Sequence, residues 1–236
     1  WNATTHHVRE PMTAKDFKKV WRSIGTQLSD PTEERIWRRM VHRAIDVRNR
    51  HPEIADHSCR LACGEEESML HLVNCGRLRP FWKQVLQLTV LITGKPLPAR
   101  LSSPARERLI LFGLHGTALL PETARAVIRH AWQHMYKHFT RVETDNLPFL
   151  WKAAYLHTVL SVRDAALRVV TTRQRNLTKV AHGVRPTRVP DLACVKGIVY
   201  TETSPIGTIY APHPPTVAAA YAAEIARATA DLSGGT

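Results

Sequence analysis

The chain has 236 residues, 44 % of them hydrophobic, enough to bury a core as one large domain or two small ones. Lys and Arg outnumber Asp and Glu by 33 to 20, a formal net charge of +13, which favours polyanions as partners, nucleic acid first and an anionic membrane surface second. Four cysteines do not make a secreted disulfide scaffold, and the longest apolar runs, at 85–92 and 109–114, fall well short of the ~20 residues that span a bilayer.

These features point to an intracellular protein of nucleus or cytoplasm with no membrane partner. No secretory signal is visible. The sequence starts at Trp1 rather than Met, so the chain is expected to be a piece of a longer polypeptide.

In chain order, a short helix is expected over Ala14–Ile24 with Phe17, Val20 and Trp21 inward. A stronger one starts at Ser29-Asp30-Pro31-Thr32-Glu33, where Asp30 can cap, Pro31 suits the first helical position and Glu33 stands three after the cap. Its apolar residues, Ile36, Trp37, Met40, Val41, Ala44 and Ile45, keep helical period. Arg35, Arg38, Arg39, His42 and Arg43 crowd the remainder, either as a solvated basic face or as phosphate contacts. A loop over 57–78 follows. Pro80 opens a helix with Phe81, Trp82, Val85, Leu86 and Thr89 on one side, ended by the Gly94-Lys95-Pro96-Leu97-Pro98 stretch. A short apolar segment runs from Pro104 to Leu114.

Pro121 opens a long amphipathic helix and Pro148 a second, ending near Thr172; the two are read as an antiparallel hairpin. Residues 173–189 carry Arg173, Arg175, Lys179, His182, Arg185 and Arg188 with no acid until Asp191, the pattern of a basic linker or tail. Val195–Thr201 and Ile206–Ala211 are expected to pair as a small hairpin, and Ala-rich Thr216–Leu232 to form a last helix. The fold class is therefore mainly α. A helical region that includes the 57–78 loop covers 1–100, a helical hairpin region 101–175, and a basic linker with a β-hairpin and a terminal helix 176–236. No internal repeat is present.

The loop holds the most informative spacing. Cys59, Cys63, His71 and Cys75 fall within 17 residues as C-x3-C-x7-H-x3-C. Three thiolates and an imidazole complete a tetrahedral set for Zn2+ and leave no position for water or substrate, so the site is expected to be structural and closed. C-x3-C puts two thiolates on one tight turn. Gly64 stands where the backbone must turn away, and His71 and Cys75 lie one helical turn apart. His57 competes with His71 on proximity; His71 pairs more naturally with Cys75. Cys194 lies far from the group.

The residues around these ligands carry a likeness. Ile36-Trp37-Arg38-Arg39-Met40-Val41-His42-Arg43-Ala44, Cys63-Gly64, Glu66-Glu67-Ser68, His71-Leu72 and Phe81-Trp82 together resemble the reverse-transcriptase zinc-binding domain that follows the polymerase in non-LTR (LINE-type) retrotransposon polyproteins. The likeness covers about residues 30–90. It departs from the commoner family spacing in having three residues between the first two cysteines and three between His71 and Cys75. It implies binding of template RNA or target DNA beside an upstream polymerase of the same polyprotein.

Contacts to nucleic acid are expected from Arg35, Arg38, Arg39, Arg43, Arg50, Arg173, Arg175 and Lys179. Trp37, Trp82 and Trp132 are read as core residues, with base stacking as the rival reading. No Asp-Asp pair exists to hold polymerase metal ions, so no catalytic residue is assigned and the segment is not expected to be an enzyme by itself. Two other classes stay open: a restriction-like endonuclease using Pro190-Asp191 with Lys196 and Glu202, and a protein-interaction scaffold that zinc merely folds. His130, His134 and His138, at i, i+4 and i+8, are either a second metal stripe or a polar helix face.

Overall fold

The computed structural model describes residues 12–24, 28, 31–42, 44–97, 101–141, 147–185, 200–204 and 207–211. The chain is mainly helical, as its periodicity predicts. Helix α1 spans Ala14–Arg22 and is capped by Thr13, whose side chain accepts the Asp16 N–H at 3.1 Å. Val20 is buried, but Trp21 is 40 % exposed, against the inward position expected of it. Its ring meets His42 edge-on at 5.1 Å. Asp16 turns inward instead, where Arg108 Nη2 reaches its carboxylate at 3.3 Å.

Helix α2 spans Pro31–Val41 and buries Trp37, Met40 and Val41. Asp30, the expected cap, lies outside the described residues. After a 3₁₀ turn at Arg48–Arg50 come α3, Met69–Asn74, and α4, Arg79–Thr93, with Pro80 in its first turn. Helix α5, Ser103–Phe112, is capped by Ser102 and ends at Gly113, φ +66°. A Cβ at Gly113 would come within 2.8 Å of Arg125 Cγ, so the position excludes larger residues on both backbone and space. A two-residue ribbon follows, β1 (Leu114–His115) against β2 (Ala118–Leu119).

Helices α6, Glu122–Phe139, and α7, Leu147–Ala181, form the expected antiparallel hairpin: His138 faces His157, while His134 reaches on to Ser161. Helix α7 corrects one expectation. It runs unbroken through Ala181, so Arg173, Arg175 and Lys179 stand on a helix and not in a linker. It closes where Gly183 takes φ +73° and the Val184 N–H reaches back to the Lys179 carbonyl at 2.8 Å. Strands β3 (Tyr200–Ser204) and β4 (Gly207–Ala211) make the small C-terminal hairpin, pairing Tyr200 with Ala211. The helix expected over 216–232 and Cys194 lie outside the described residues.

Helix α6 is the hub, packing against α7, α4 and α2. One cluster of buried side chains runs from Val20 to Val170. Tryptophans mark its centre. Trp82 and Trp132 lie 5.0 Å apart, and each spends its indole N–H on a backbone carbonyl, Leu72 at 3.0 Å and Ile110 at 2.9 Å. Trp37 is also buried, beneath the Arg129 guanidinium at 5.0 Å. All three are core residues, which leaves none of them free to stack on a base. Arg125 and Arg129 reach from α6 to the carbonyls that end α1, binding Ser23 O and Ile24 O at 3.1 Å each. Among the described residues, no helix is long and apolar enough to cross a membrane.

Because Trp132 is fully buried and hydrogen-bonded, Trp132→Ala should lower the unfolding free energy by about 3–5 kcal/mol, read from the urea midpoint at constant m-value.

Candidate metal centre and basic surfaces

The segment before α3 folds back on itself because its backbone twice enters the left-handed region, at Ala62 (φ +52°) and Gly64 (φ +85°). Cys59 N–H donates to Glu65 O at 2.7 Å and Ala62 N–H to Cys59 O at 2.9 Å. That brings Glu67 N–H to His57 O at 2.8 Å and pairs Ser58 with Glu66 as an antiparallel bridge. Ser68 then caps α3, its hydroxyl accepting the His71 N–H at 3.0 Å. Cys75 terminates the helix, so His71 and Cys75 sit one turn apart on the side that faces the Cys59–Cys63 turn.

The four expected ligands converge. One donor atom from each of Cys59, Cys63, His71 and Cys75 lies within 4.8 Å of every other. A tetrahedron with metal–sulfur bonds of ~2.3 Å has edges of about 3.8 Å, so the set can close on one metal ion with small adjustments. Cys59 and Cys75 are buried, His71 is 7 % exposed, and Cys63 is the most open of the three thiols. His71 Nε2 points to Cys63 Sγ at 3.1 Å, while its Nδ1 meets Glu65 Oε2 at 2.9 Å. A carboxylate on the far ring nitrogen fixes the tautomer and leaves Nε2 as the donor atom.

The hydrogen bond between Cys59 and Cys75 shifts these two thiols in opposite directions. Donation of its S–H to Cys75, then burial, pushes the Cys59 thiol well up. That same bond with Cys59, against its burial and helped by His71 and the Arg77 N–H, pulls Cys75 down to about 4. His71 is raised, first by Cys75 and then, against its burial, by Glu65.

Beneath the ligands lies a carboxylate that spacing alone does not reveal. Glu67 is fully buried. It takes Arg60 Nη2 on Oε1 at 2.7 Å and Arg60 Nε on Oε2 at 2.9 Å. The backbone N–H groups of Arg48 and Arg60 add bonds at 2.9 and 3.1 Å. Burial would raise this carboxyl, but Arg60 and the two N–H groups outweigh it and hold it low. Arg60 also lies 4.6 Å above the Phe139 ring, tying the loop to α6. Leu72 is buried and its carbonyl takes the Trp82 indole N–H. Asn74 Nδ2 reaches Glu107 Oε1 on α5 at 2.6 Å.

Other expected residues are placed elsewhere. His57 directs Nε2 to His51 O at 3.1 Å, away from the thiols. His134 and His138 stack on His157 of α7 at 5.5 and 6.0 Å, and His134 Nε2 bonds Ser161 at 2.8 Å. Burial, with the neighbouring histidines and Lys137, takes His134 down to about 3. Among the described residues, the Cys59–Cys63–His71–Cys75 group alone converges as a metal-binding set. Pro190, Asp191 and Lys196 lie outside the described residues, and Glu202 falls in β3.

The expected basic residues divide between two helices and a turn. Arg35, Arg38 and Arg39 are exposed on α2, Arg50 is exposed on the 3₁₀ turn, and Arg43 lies outside the described residues. Arg38 is paired with Glu34 at 3.7 Å, and Arg39 donates to Ala44 O at 3.1 Å. On α7, Arg175 and Lys179 are exposed and Arg173 is half-buried.

Comparison with protein-family models, with curated proteins and with solved structures gives no match to this chain.

The clasp makes a pH-dependent prediction. A depressed carboxylate contributes its full stability above its ordinary value of 4.5 and loses it as pH falls through the lower folded value. Glu67→Gln should therefore cost about 2–3 kcal/mol at pH 7. The gap to the parent, measured by urea unfolding, should stay level from pH 8 to about 5 and narrow below that; a gap that widens on acidification would contradict the assignment.

Proposed function

We propose that this chain is a zinc-stabilised, nucleic-acid-binding region from the C-terminal end of a retrotransposon reverse-transcriptase polyprotein, positioning template RNA or target DNA for a polymerase upstream. The observation that carries this reading is that several non-ligand positions of the likeness work at the metal loop. Glu67 is its buried clasp, Ser68 caps the ligand helix, and Leu72 and Trp82 join that helix to the core.

Three sulfurs and one imidazole nitrogen suit zinc, which favours soft and borderline donors in a tetrahedron. Cys59, Cys63, Cys75 and Nε2 of His71 would hold it, and a bound ion would supply folding energy to a loop with few apolar residues of its own. With four protein ligands no position stays open for substrate, so the group serves structure. Charge supports the rest. The chain carries +13, and α2 turns Arg35, Arg38 and Arg39 outward while Trp37 and Met40 anchor its other face. Such arginines grip phosphates without reading sequence. The absence of an Asp-Asp pair from the sequence is consistent with a binding role beside a separate polymerase.

Two measurements test this. Elemental analysis of the purified chain should find about one zinc per molecule, lost in Cys59→Ser and Cys75→Ser and kept in Cys194→Ser and His57→Ala. Zinc retained by Cys75→Ser would mean that another residue closes the site. Filter retention of RNA and DNA should fall steeply with salt, by about 0.7–0.9 logarithmic units per decade for each phosphate contacted; no retention at low salt would remove the nucleic-acid reading.

A further inference from the structure

We infer that one exposed face of α7, carried by Arg168, Arg175 and Lys179, is the surface that grips duplex DNA, with the helix beyond Val170 lying in the major groove. This rests on the nucleic-acid reading above and goes beyond it in naming the element and the form of nucleic acid.

Helical spacing defines the face. Residues 168, 171, 172, 175, 179 and 182 follow one another at intervals of three and four, which places them on one side of a helix. They are Arg168, Thr171, Thr172, Arg175, Lys179 and His182, and all are exposed. They cover about 21 Å at 1.5 Å per residue. No Asp or Glu occurs between Asp164 and Arg185. Arg168, Arg175 and Lys179 make no ion pair among the described residues. By contrast, α2 spends Arg38 on Glu34 and Arg39 on a carbonyl. Arg173 lies on the opposite side of α7, the side of Leu177 and Val180, and is half-buried. The face therefore takes Arg168, which spacing in the sequence did not single out, in place of Arg173.

Position makes the face reachable. Val169 and Val170 are the last buried residues of α7, and the following residues to Arg185 are exposed apart from the half-buried Arg173 and Asn176. The helix thus leaves the core before it ends. A free helix of this length is marginal in water, and Thr171, Thr172, Asn176 and Thr178 are weak helix formers, so contact with a partner would add to the stability of this stretch.

Shape and chemistry select duplex DNA. An α-helix with its side chains is about 10–12 Å across, matching a B-form major groove about 12 Å wide. The A-form major groove of duplex RNA is too narrow to admit it. Single strands are held by stacking on exposed aromatic rings, and α7 has no aromatic residue between His157 and its end at Ala181. Arginine, lysine and threonine are side chains that bind phosphates and major-groove base edges.

The test is fluorescence anisotropy of the zinc-loaded full chain. The probes are a DNA duplex of about two helical turns, an RNA duplex of the same sequence, and the single strands. The parent should bind the DNA duplex most tightly. Arg168→Gln/Arg175→Gln/Lys179→Gln should weaken it about tenfold or more and reduce the salt slope by about two to three. Arg35→Gln/Arg38→Gln/Arg39→Gln should weaken it less. Circular dichroism checks the fold, and the single charge reversal Arg175→Glu repeats the test with one exposed side chain. Unchanged duplex affinity in the α7 variants overturns the inference, as does preference for duplex RNA or a single strand. Binding lost only in the α2 variant removes this inference and leaves nucleic-acid binding standing; no binding of any probe removes both.

Discussion

A single buried carboxylate holds the architecture around the metal loop together. Glu67 has no exposed surface, yet all its charge is answered: a two-pronged guanidinium from Arg60 and backbone N–H groups from Arg48 and Arg60. Left unpaired, a buried charge of this kind would cost several kcal/mol, on the order of 3–5. The turn at Arg48–Arg50, the Cys59 turn and the start of α3 must therefore come together at once to satisfy it. Arg60 carries that demand outward to Phe139, so the loop is fixed against the central helix by the same side chain that neutralises its interior.

This arrangement accounts for the order of residues in the ligand segment. The metal set needs two turns of backbone at a fixed distance. Gly64 and Ala62 provide the reversal, Ser68 starts the ligand helix at the right residue, and Trp82 ties that helix to α4 through Leu72. Asn74 adds a tie to α5. The ion would complete a framework already tied at several points by the protein's own hydrogen bonds, with Glu65 orienting the imidazole from outside.

Much of this was legible in the sequence where the determinants are local. The convergence of Cys59, Cys63, His71 and Cys75, the helical starts at Pro31, Pro80 and Pro121, and the α6–α7 hairpin follow from spacing, proline and period. What was not legible depends on distant partners. Three consecutive glutamates look alike until Arg60 selects Glu67 and His71 selects Glu65. Helical period placed Trp21 inside; Arg108, 92 residues from Asp16, drew that acid inward instead. The strands of the β1–β2 ribbon are too short to show alternation. The end of α7 is not marked by charge: its basic run has the composition of a linker, yet no Gly or Pro interrupts the helix between Pro148 and Gly183.

The length of α7 has a mechanical meaning. At 35 residues it is about 52 Å long. From Trp151 to Val170 its inner face is bedded in the core, with small residues such as Ala154, Ala165 and Ala166 at the seam. The part beyond, to Ala181, is barely more than half as long as the bedded part. The helix is a cantilever whose clamped section exceeds its free arm. A load at the tip is spread over a longer grip, so the free end can bear on a large partner without levering the hairpin apart.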